Sequence, residues 1–193
     1  MKTKILAAAL LSALSTSAMA EGAYVAVDVG QTTAKDMCSG LPAGFSCSEK
    51  ATAFRFGGGY QFTPNLGIEA NYGILGKGTA SGTVLGTAFN GEAKFKTLQV
   101  AATGTFPLAD TFSLIGKLGI ARTSVDTSAT GGGFSSSSSA TSTKLAYGIG
   151  AQFDLSKSLG IRAQYENLGE VGDVNTTGTA KVSLISAGVV LKF

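Results

Sequence analysis

The sequence contains no histidine and no tryptophan, and only 14% of its residues are charged. Histidine is the usual general base near neutral pH, so its absence argues against hydrolases and acyl transferases that depend on one. No serine or carboxylate pair stands out as a replacement. The sequence also shows no motif for a metal, a phosphate group or a cofactor. We therefore expect no catalytic residues, no metal site and no cofactor.

No apolar segment is long enough to span a membrane as a helix, which needs about 20 residues. The nearest candidate is N-terminal, where Lys2 and Lys4 precede a short apolar run and an A-x-A motif at residues 18–20. This pattern is typical of a signal peptide, so we expect cleavage after residue 20 and one domain over residues 21–193. Cleavage removes two of the 15 basic residues and leaves 13 basic and 12 acidic groups. No basic patch indicates a nucleic-acid partner.

Alternation with a period of two is the strongest pattern that is present. In the C-terminal segment 182–193, every second residue is apolar: Ile185, Ala187, Val189, Leu191 and Phe193. A period of two indicates a strand with two unlike faces. The segment is longer than most strands of soluble proteins and suits a tilted strand that crosses a bilayer, which needs about 9–11 residues.

Eight segments alternate in this way. They are residues 23–31, 52–62, 66–72, 92–106, 111–122, 143–155, 159–168 and 182–193. The connections between them are alternately long and short, which is typical of membrane barrels with long external loops and short periplasmic turns. The long loops include a glycine-rich segment at 73–91 and the GGGFSSSSS sequence at 131–139, which we interpret as a flexible linker. The prediction is an all-β, eight-stranded, antiparallel up-and-down transmembrane barrel.

A soluble lipocalin-type barrel and a β-sandwich share this alternation. The number of glycines on the non-apolar face distinguishes a membrane barrel from both. The non-apolar face carries seven glycines: Gly30, Gly57, Gly59, Gly67, Gly148, Gly150 and Gly188. Glycine weakens strands, so a face exposed to water has no need of so many. A narrow eight-stranded interior does need small residues. The glycines therefore favour the membrane barrel.

The long polar residues on the inward face are few and of both signs. The charged ones are Asp28, Arg55, Glu69, Lys117, Arg162 and Glu166. An unpaired buried ion costs several kcal/mol, so these charges must pair. We predict a network built on Arg162–Glu69 and Lys117 and extended by Arg55–Glu166. It either plugs the barrel or opens a narrow water path by exchanging partners. The plug is favoured because eight strands leave an interior just wide enough for side chains.

Aromatic residues fall near the predicted strand ends, where membrane barrels carry girdles on the lipid face. They are Tyr24, Tyr60, Phe62, Phe106, Phe112, Phe153, Tyr165 and Phe193. Tyr24 is the exception to this assignment, because simple alternation points it inward.

The only two cysteines, Cys38 and Cys47, both lie in the predicted loop 32–50. An exported chain meets an oxidising compartment, so we expect a disulfide that closes this loop. Free thiols and a metal site are the alternatives, and the lack of histidine counts against the metal site.

Several segments carry a resemblance to a known family: AYVAVDVGQ, LGIEANYG, LGIRAQYE, YGIGAQFDLS and AGVVLKF. Together they resemble the OmpA-like eight-stranded barrels of the bacterial outer membrane. The resemblance implies an interior ionic cluster, which Glu69, Lys117 and Arg162 match. It also implies that Phe193 is the signal read by the barrel assembly machinery. Because the sequence ends at Phe193, we expect the peptidoglycan-binding domain of full-length OmpA to be absent.

A non-enzymatic outer-membrane barrel with a structural or surface-interaction role is therefore the main hypothesis. A narrow, low-conductance pore is the alternative, and an adhesin or an outer-membrane enzyme is less favoured. The expected partners are outer-membrane lipid and lipopolysaccharide, the barrel assembly machinery and an extracellular ligand bound by the loops. We expect a monomer.

Overall fold

The computed structural model describes residues 22–39, 41, 44–84 and 86–193; the predicted signal peptide, residues 1–20, lies outside them. Within these ranges no helix is long and apolar enough to cross a membrane. The strands are β1 (Ala23–Lys35), β2 (Ser46–Ser48), β3 (Lys50–Gln61), β4 (Leu66–Val84), β5 (Thr87–Ala109), β6 (Phe112–Gly131), β7 (Phe134–Asp154), β8 (Leu159–Asp173) and β9 (Gly178–Lys192).

Eight of these strands, β1 and β3–β9, close into an antiparallel ring. The first and last strands pair with each other, with Val27 opposite Val189. The Phe193 amide donates a hydrogen bond of 3.0 Å to the Ala23 carbonyl at the end of this seam. The predicted eight-stranded barrel is confirmed. The start of β1 and the end of β9 lie at the end that is periplasmic in barrels of this kind. The other end is called the external end below.

The predicted long loops are wrong in extent, because most of their residues continue the barrel strands. β4 runs on to Val84 and β5 starts at Thr87, so segment 73–91 is a long hairpin. The GGGFSSSSS segment is a tight turn followed by a strand. Gly132 and Gly133 both have positive φ, 58° and 82°, as a two-residue hairpin turn requires. These segments do not alternate because neither face meets lipid, yet their backbones still pair.

The other two predicted loops are also shorter than expected. β1 extends to Lys35 and β3 starts at Lys50, and the short strand β2 lies between them. β8 extends to Asp173 and β9 starts at Gly178, which leaves only the turn 174–177. Backbone hydrogen bonding does not depend on side-chain type, so polar segments with suitable partners join the sheet as readily as apolar ones.

The outer surface of the barrel is apolar. The odd-numbered residues of β9 point outward, and Ile185, for example, is 60% exposed. Most of the predicted girdle residues are also exposed outside: Tyr60, Phe62, Phe106, Phe153, Tyr165 and Phe193. Tyr24 does not belong to a girdle; it is buried in the interior, where its alternation points it.

The inward glycines allow neighbouring strands to come close together. Gly188 on β9 lies opposite Asp28 on β1. A Cβ atom on Gly188 would collide with the Val27 carbonyl and would lie 2.8 Å from the Asp28 Cα. Gly116, which points outward on β6, has no atom within 4 Å of the same position. The interior crowding that the glycine pattern predicts is therefore present at the seam that closes the barrel.

Candidate functional site

Six charged side chains meet in the middle of the barrel, and every one of them is at most 5% exposed. They come from five strands, because β8 supplies both Arg162 and Glu166. The others are Asp28 on β1, Arg55 on β3, Glu69 on β4 and Lys117 on β6. All six side chains lie on barrel strands, so none of them depends on a flexible loop for its position.

The predicted ion pairs are present. Glu69 Oε1 lies 2.5 Å from Lys117 Nζ, and Glu69 Oε2 lies 2.6 Å from Arg162 Nη1. Arg55 Nη1 lies 2.6 Å from Glu166 Oε2. The sequence did not predict how these pairs connect. Lys117 also contacts Glu166 at 3.1 Å, and Asp28 joins Arg55 at 3.2 Å to Arg162 at 3.7 Å.

These contacts form a closed circle of alternating charges, which we call the ionic ring. Its order is Glu69, Lys117, Glu166, Arg55, Asp28, Arg162 and back to Glu69. Each ion therefore has an opposite charge on both sides, and the ring has no net charge. Such mutual compensation is what burial of charges requires.

Two neutral side chains support Glu69. The Tyr24 hydroxyl donates a hydrogen bond of 2.7 Å to Glu69 Oε2, and Asn71 Nδ2 donates one of 2.7 Å to Glu69 Oε1. Glu69 thus accepts from four groups and is the most heavily bonded member of the ring. Sequence reasoning missed both supporting residues, although their inward phase on β1 and β4 was a signal that could have found them.

An apolar layer fills the barrel on the external side of the ionic ring. Its largest members, which we call the apolar plug, are Leu75, Phe95, Val125, Leu168, Val171, Val182 and Leu184, and each is at most 3% exposed. The plug directly follows the ring, because Leu184 lies opposite Glu166 in the β8–β9 ladder. Sequence reasoning missed the plug because several of its members lie in segments that we expected to be loops.

One cavity lies on the periplasmic side of the ionic ring, and another lies on the external side of the apolar plug. The periplasmic cavity has a volume of about 1050 Å³ and is lined by residues that include Tyr24, Gln61, Thr103 and Arg162. The external cavity has a volume of about 300 Å³ and is lined by residues that include Met37, Ala80, Ala93 and Ser136. A charged layer and an apolar layer therefore separate the two ends of the barrel.

Basic side chains cluster on the outer surface just beyond the apolar band. This external cation patch consists of Lys77, Lys94, Lys96 and Arg122. Lys77 lies directly opposite Lys94, and Arg122 lies opposite Leu98, the last apolar residue of the outer face of β5. Of the residues with described positions, none forms an ion pair with Lys96 or Arg122.

Glu92 neutralises part of this patch. Its carboxylate accepts from Lys77 at 2.7 Å and from Lys94 at 3.1 Å. Hydrogen bonds from Lys77 and then Lys94 hold the pKa of Glu92 below its usual range. Asp126 of β6 lies opposite Lys94 on the same outer face. The patch keeps a positive excess of two, since four cations face the two carboxylates of Glu92 and Asp126.

The expected disulfide between Cys38 and Cys47 is present. It ties β2 to the segment that follows β1. β2 in turn pairs with β4, with Ser46 opposite Ser81 and Ser48 opposite Thr79. The disulfide therefore holds a short added strand against the external edge of β4.

The family follows from comparison of the whole sequence. The sequence model of the outer membrane protein beta-barrel domain matches residues 6–193. The chain belongs to this family. Outer membrane protein A of Shigella flexneri is 30% identical over 138 residues, which cover 70% of this chain and 38% of the relative. The same protein of Salmonella typhi gives the same values. The chain thus spans about 38% of the length of the curated relatives that it matches.

Solved structures of outer membrane barrels show the same fold. OprG of Pseudomonas aeruginosa has a TM-score of 0.60 at 16% identity and covers 89% of this chain and 96% of its own. Ail of Yersinia pestis has a TM-score of 0.57 at 24% identity, with coverage of 90% and 99%. Membership of the outer membrane protein beta-barrel family confirms the OmpA-like resemblance and places the chain in the cell outer membrane.

Proposed function

We propose that this protein is a sealed, non-enzymatic membrane anchor that presents its external strands for interactions at the cell surface. The observation that carries the proposal is the double closure of the interior by the ionic ring and the apolar plug. In contrast, β4, β5, β6 and β7 continue well beyond the outward apolar band. We therefore assign a stabilising role to the interior of the barrel and a binding role to its external surface.

The two closing layers resist water by different means. In the ionic ring, each charge contacts an opposite charge on both sides. Displacement of one ion therefore leaves two others without one of their partners. In the apolar plug, water would enter a space without hydrogen-bond partners, and such constrictions close by dewetting. A partner exchange within the ring would leave the plug in place. This argues against the alternative function, a narrow low-conductance pore.

Planar bilayer recording tests the sealed barrel. We expect no discrete conductance from the wild-type protein, and none from Glu69→Ala, because the apolar plug survives the loss of the carboxylate. A large porin reconstituted in parallel serves as the positive control. A discrete wild-type conductance that changes in Glu69→Ala would establish the pore and overturn the sealed barrel.

The external cation patch supports lipopolysaccharide as a surface partner. Its side chains lie immediately beyond Leu98 and Ile120, where the headgroup phosphates of the outer leaflet would meet the barrel. Lys77 and Lys94 are both 59% exposed and accessible to an anion. A barrel of this fold, Ail of Yersinia pestis, has been solved in complex with the heparin analogue sucrose octasulfate, at 19% identity to this chain. A polyanionic sugar is thus the chemical class of ligand that we assign to this patch.

Removal of Lys96 and Arg122 together should weaken binding to lipopolysaccharide vesicles about 30-fold. The reason is that each basic residue near an anionic lipid surface contributes about 1 kcal/mol. The measurement is vesicle co-sedimentation at low and high salt, and the wild-type advantage should shrink at high salt. Lys157→Ala is the matched control, since Lys157 is exposed at the periplasmic end. Equal losses in the control and the double variant would contradict a local patch.

A further inference from the structure

The external cavity lies against the inner side of β4, β5, β6 and β7, where inward residues form rows that cross these strands. The lowest of these rows belongs to the apolar plug, with Phe95 opposite Val125 and both side chains 3% exposed. The next two rows consist of small residues. They are Gly78, Ala93, Thr127 and Ser138, and then Ala80, Gly91, Ala129 and Ser136. The change from large to small side chains opens the cavity directly above the plug.

Aromatic rings occupy the inner side of the same strands near their tips. Phe89 lies opposite both Gly82 and Gly131, and a Cβ atom on Gly131 would collide with its ring. A Cβ atom on Gly82 would collide with the ring of Phe45. The two rows of small residues therefore form a slot between the plug and these rings. Four strands about 4.8 Å apart make the slot roughly 14 Å wide, and two rows make it roughly 7 Å high.

The backbone does not require glycine at position 91, in the middle of the slot. A Cβ atom there would lie 3.8 Å from the Ala80 carbonyl oxygen and 3.9 Å from the Ser128 carbonyl oxygen, which are ordinary contact distances. Glycine inside a strand costs stability relative to alanine. The chain therefore keeps a destabilising residue at a position with room for a side chain, which favours a use for the space.

Met37 forms the side of the cavity that faces the slot. It packs against the apolar plug and also lines the cavity. A Cβ atom on Gly78 would collide with its ε-methyl group, so the thioether lies across the β4 end of the slot. Methionine is flexible and polarisable and adapts to the shape of an apolar ligand.

The polar groups of the cavity are hydroxyls at the β7 end. Ser136 and Ser138 lie there, and Thr127 already donates to the Ser138 carbonyl at 3.1 Å. Among the described residues that line the cavity, Glu92 is the only charged one, and its carboxylate is held by Lys77 and Lys94. The cavity thus has an apolar end and a neutral polar end.

We propose that the external cavity binds a neutral, linear amphiphile. Its alkyl chain lies along the two rows of small residues and ends at Met37, and its uncharged hydroxyl or amide group lies at Ser136 and Ser138. The volume of about 300 Å³ is at the lower end of the range for small-molecule sites, which are mainly apolar with a few placed polar groups. The inference goes beyond the proposed surface anchor, and its failure would leave that proposal standing.

The ligand reaches the cavity from the external medium. On β5 the outward apolar residues end at Leu98, whereas the lowest small residue of the slot on the same strand is Ala93. The slot therefore lies beyond the apolar band, and a lipid would have to leave the bilayer to fill it.

Methyl NMR at Met37 tests the inference. The other two methionines, Met1 and Met19, lie in the predicted signal peptide, so the mature chain labelled at its methionine methyl groups should give one resonance. The barrel in lipid nanodiscs is titrated with hexanol, heptanol and octanol at known free concentrations. We expect a saturable shift, with affinity rising about fourfold for each added methylene group. A shift that rises without saturation for every alcohol would show partition into lipid alone and would overturn the site.

A filled slot provides the matched comparison. Gly91→Leu places a side chain among the small residues, and Asn90→Leu places the same side chain on the outer face of the same strand. We expect Gly91→Leu to bind octanol at least about tenfold more weakly, since it displaces about two buried methylene groups of the ligand. Asn90→Leu should bind as the wild type does, and both variants should keep the heat-modifiable mobility of a folded barrel. Equal affinities in the two variants would overturn the slot as the binding site.

The polar end is tested by a second pair of variants and a charged ligand. Ser136→Ala with Ser138→Ala should weaken octanol binding about fivefold through loss of a hydrogen bond. The control is Ser135→Ala with Ser137→Ala, which alters the outer face of β7. Octanoate should bind about tenfold more weakly than octanol, because burial disfavours a charge without a partner. Octanoate binding as tight as that of octanol would overturn the neutral ligand, and equal affinities in the two serine variants would overturn the position of its polar group.

Discussion

Replacement of Glu69 by alanine is expected to lower the free energy of unfolding by about 3–5 kcal/mol, the range for breaking a buried ion pair by removal of one partner. Glu69 holds both Lys117 and Arg162 and accepts from Tyr24. Its loss leaves a buried positive charge without compensation and a buried hydroxyl without an acceptor. Both consequences fall on side chains that are at most 8% exposed, and a low local dielectric makes an unpaired polar group costly there.

The measurement is urea unfolding in lipid vesicles, followed by the gel mobility of the folded and unfolded forms. Glu92→Ala is the control, because Glu92 also holds two cations but lies in an exposed pair of the external cation patch. Exposed ion pairs are worth about 0–1 kcal/mol. Similar losses for the two variants would show that burial does not strengthen the ionic ring.

A double variant separates charge balance from packing. Glu69→Leu together with Lys117→Met removes one charge of each sign and leaves the interior neutral. Arg162 keeps Asp28, and Glu166 keeps Arg55, so each remaining ion has a partner. Replacement of a buried pair by apolar groups of similar volume is often neutral. We therefore expect the double variant to recover most of the stability that the single variant loses.

The sequence predicts the membrane-spanning part of this fold well because lipid imposes a strict requirement there. Every second residue must be apolar over the band, so strands such as β9 are visible from alternation alone. The charges follow from the same phase, because a residue between two lipid-facing neighbours points inward. Glu69, between Ile68 and Ala70, is an example. Pairing of the charges then follows from the cost of burying an unpaired ion.

The external parts of β4, β5, β6 and β7 and the apolar plug could not be predicted in the same way. Outside the bilayer neither face of a strand meets lipid, so a sequence such as that of residues 134–141 carries no alternation although it pairs along its length. The plug residues Leu75 and Val171 lie in segments of this kind. Their inward direction depends on where β4 and β8 continue, which is a property of backbone pairing.

Replacement of Gly188 by alanine is expected to lower the free energy of unfolding by about 3 kcal/mol, at the upper end for overpacking. The added methyl group would collide with the Val27 carbonyl and approach the Asp28 Cα, which lies 2.8 Å from its position. Both obstacles are backbone or next to it, so no side-chain rotation relieves them. The only relief is separation of β1 from β9, the seam on which closure of the barrel depends.

Gly116→Ala is the matched control and should change stability in the opposite direction. Its new methyl group meets no atom within 4 Å on the lipid side of β6. Alanine is better than glycine inside a strand by roughly 0.5–1 kcal/mol, because glycine loses more conformational freedom on folding. The same chemical change should therefore stabilise at one face and destabilise at the other, as measured by urea unfolding in vesicles. If both variants moved stability in the same direction, interior crowding could not be the reason for the inward glycines.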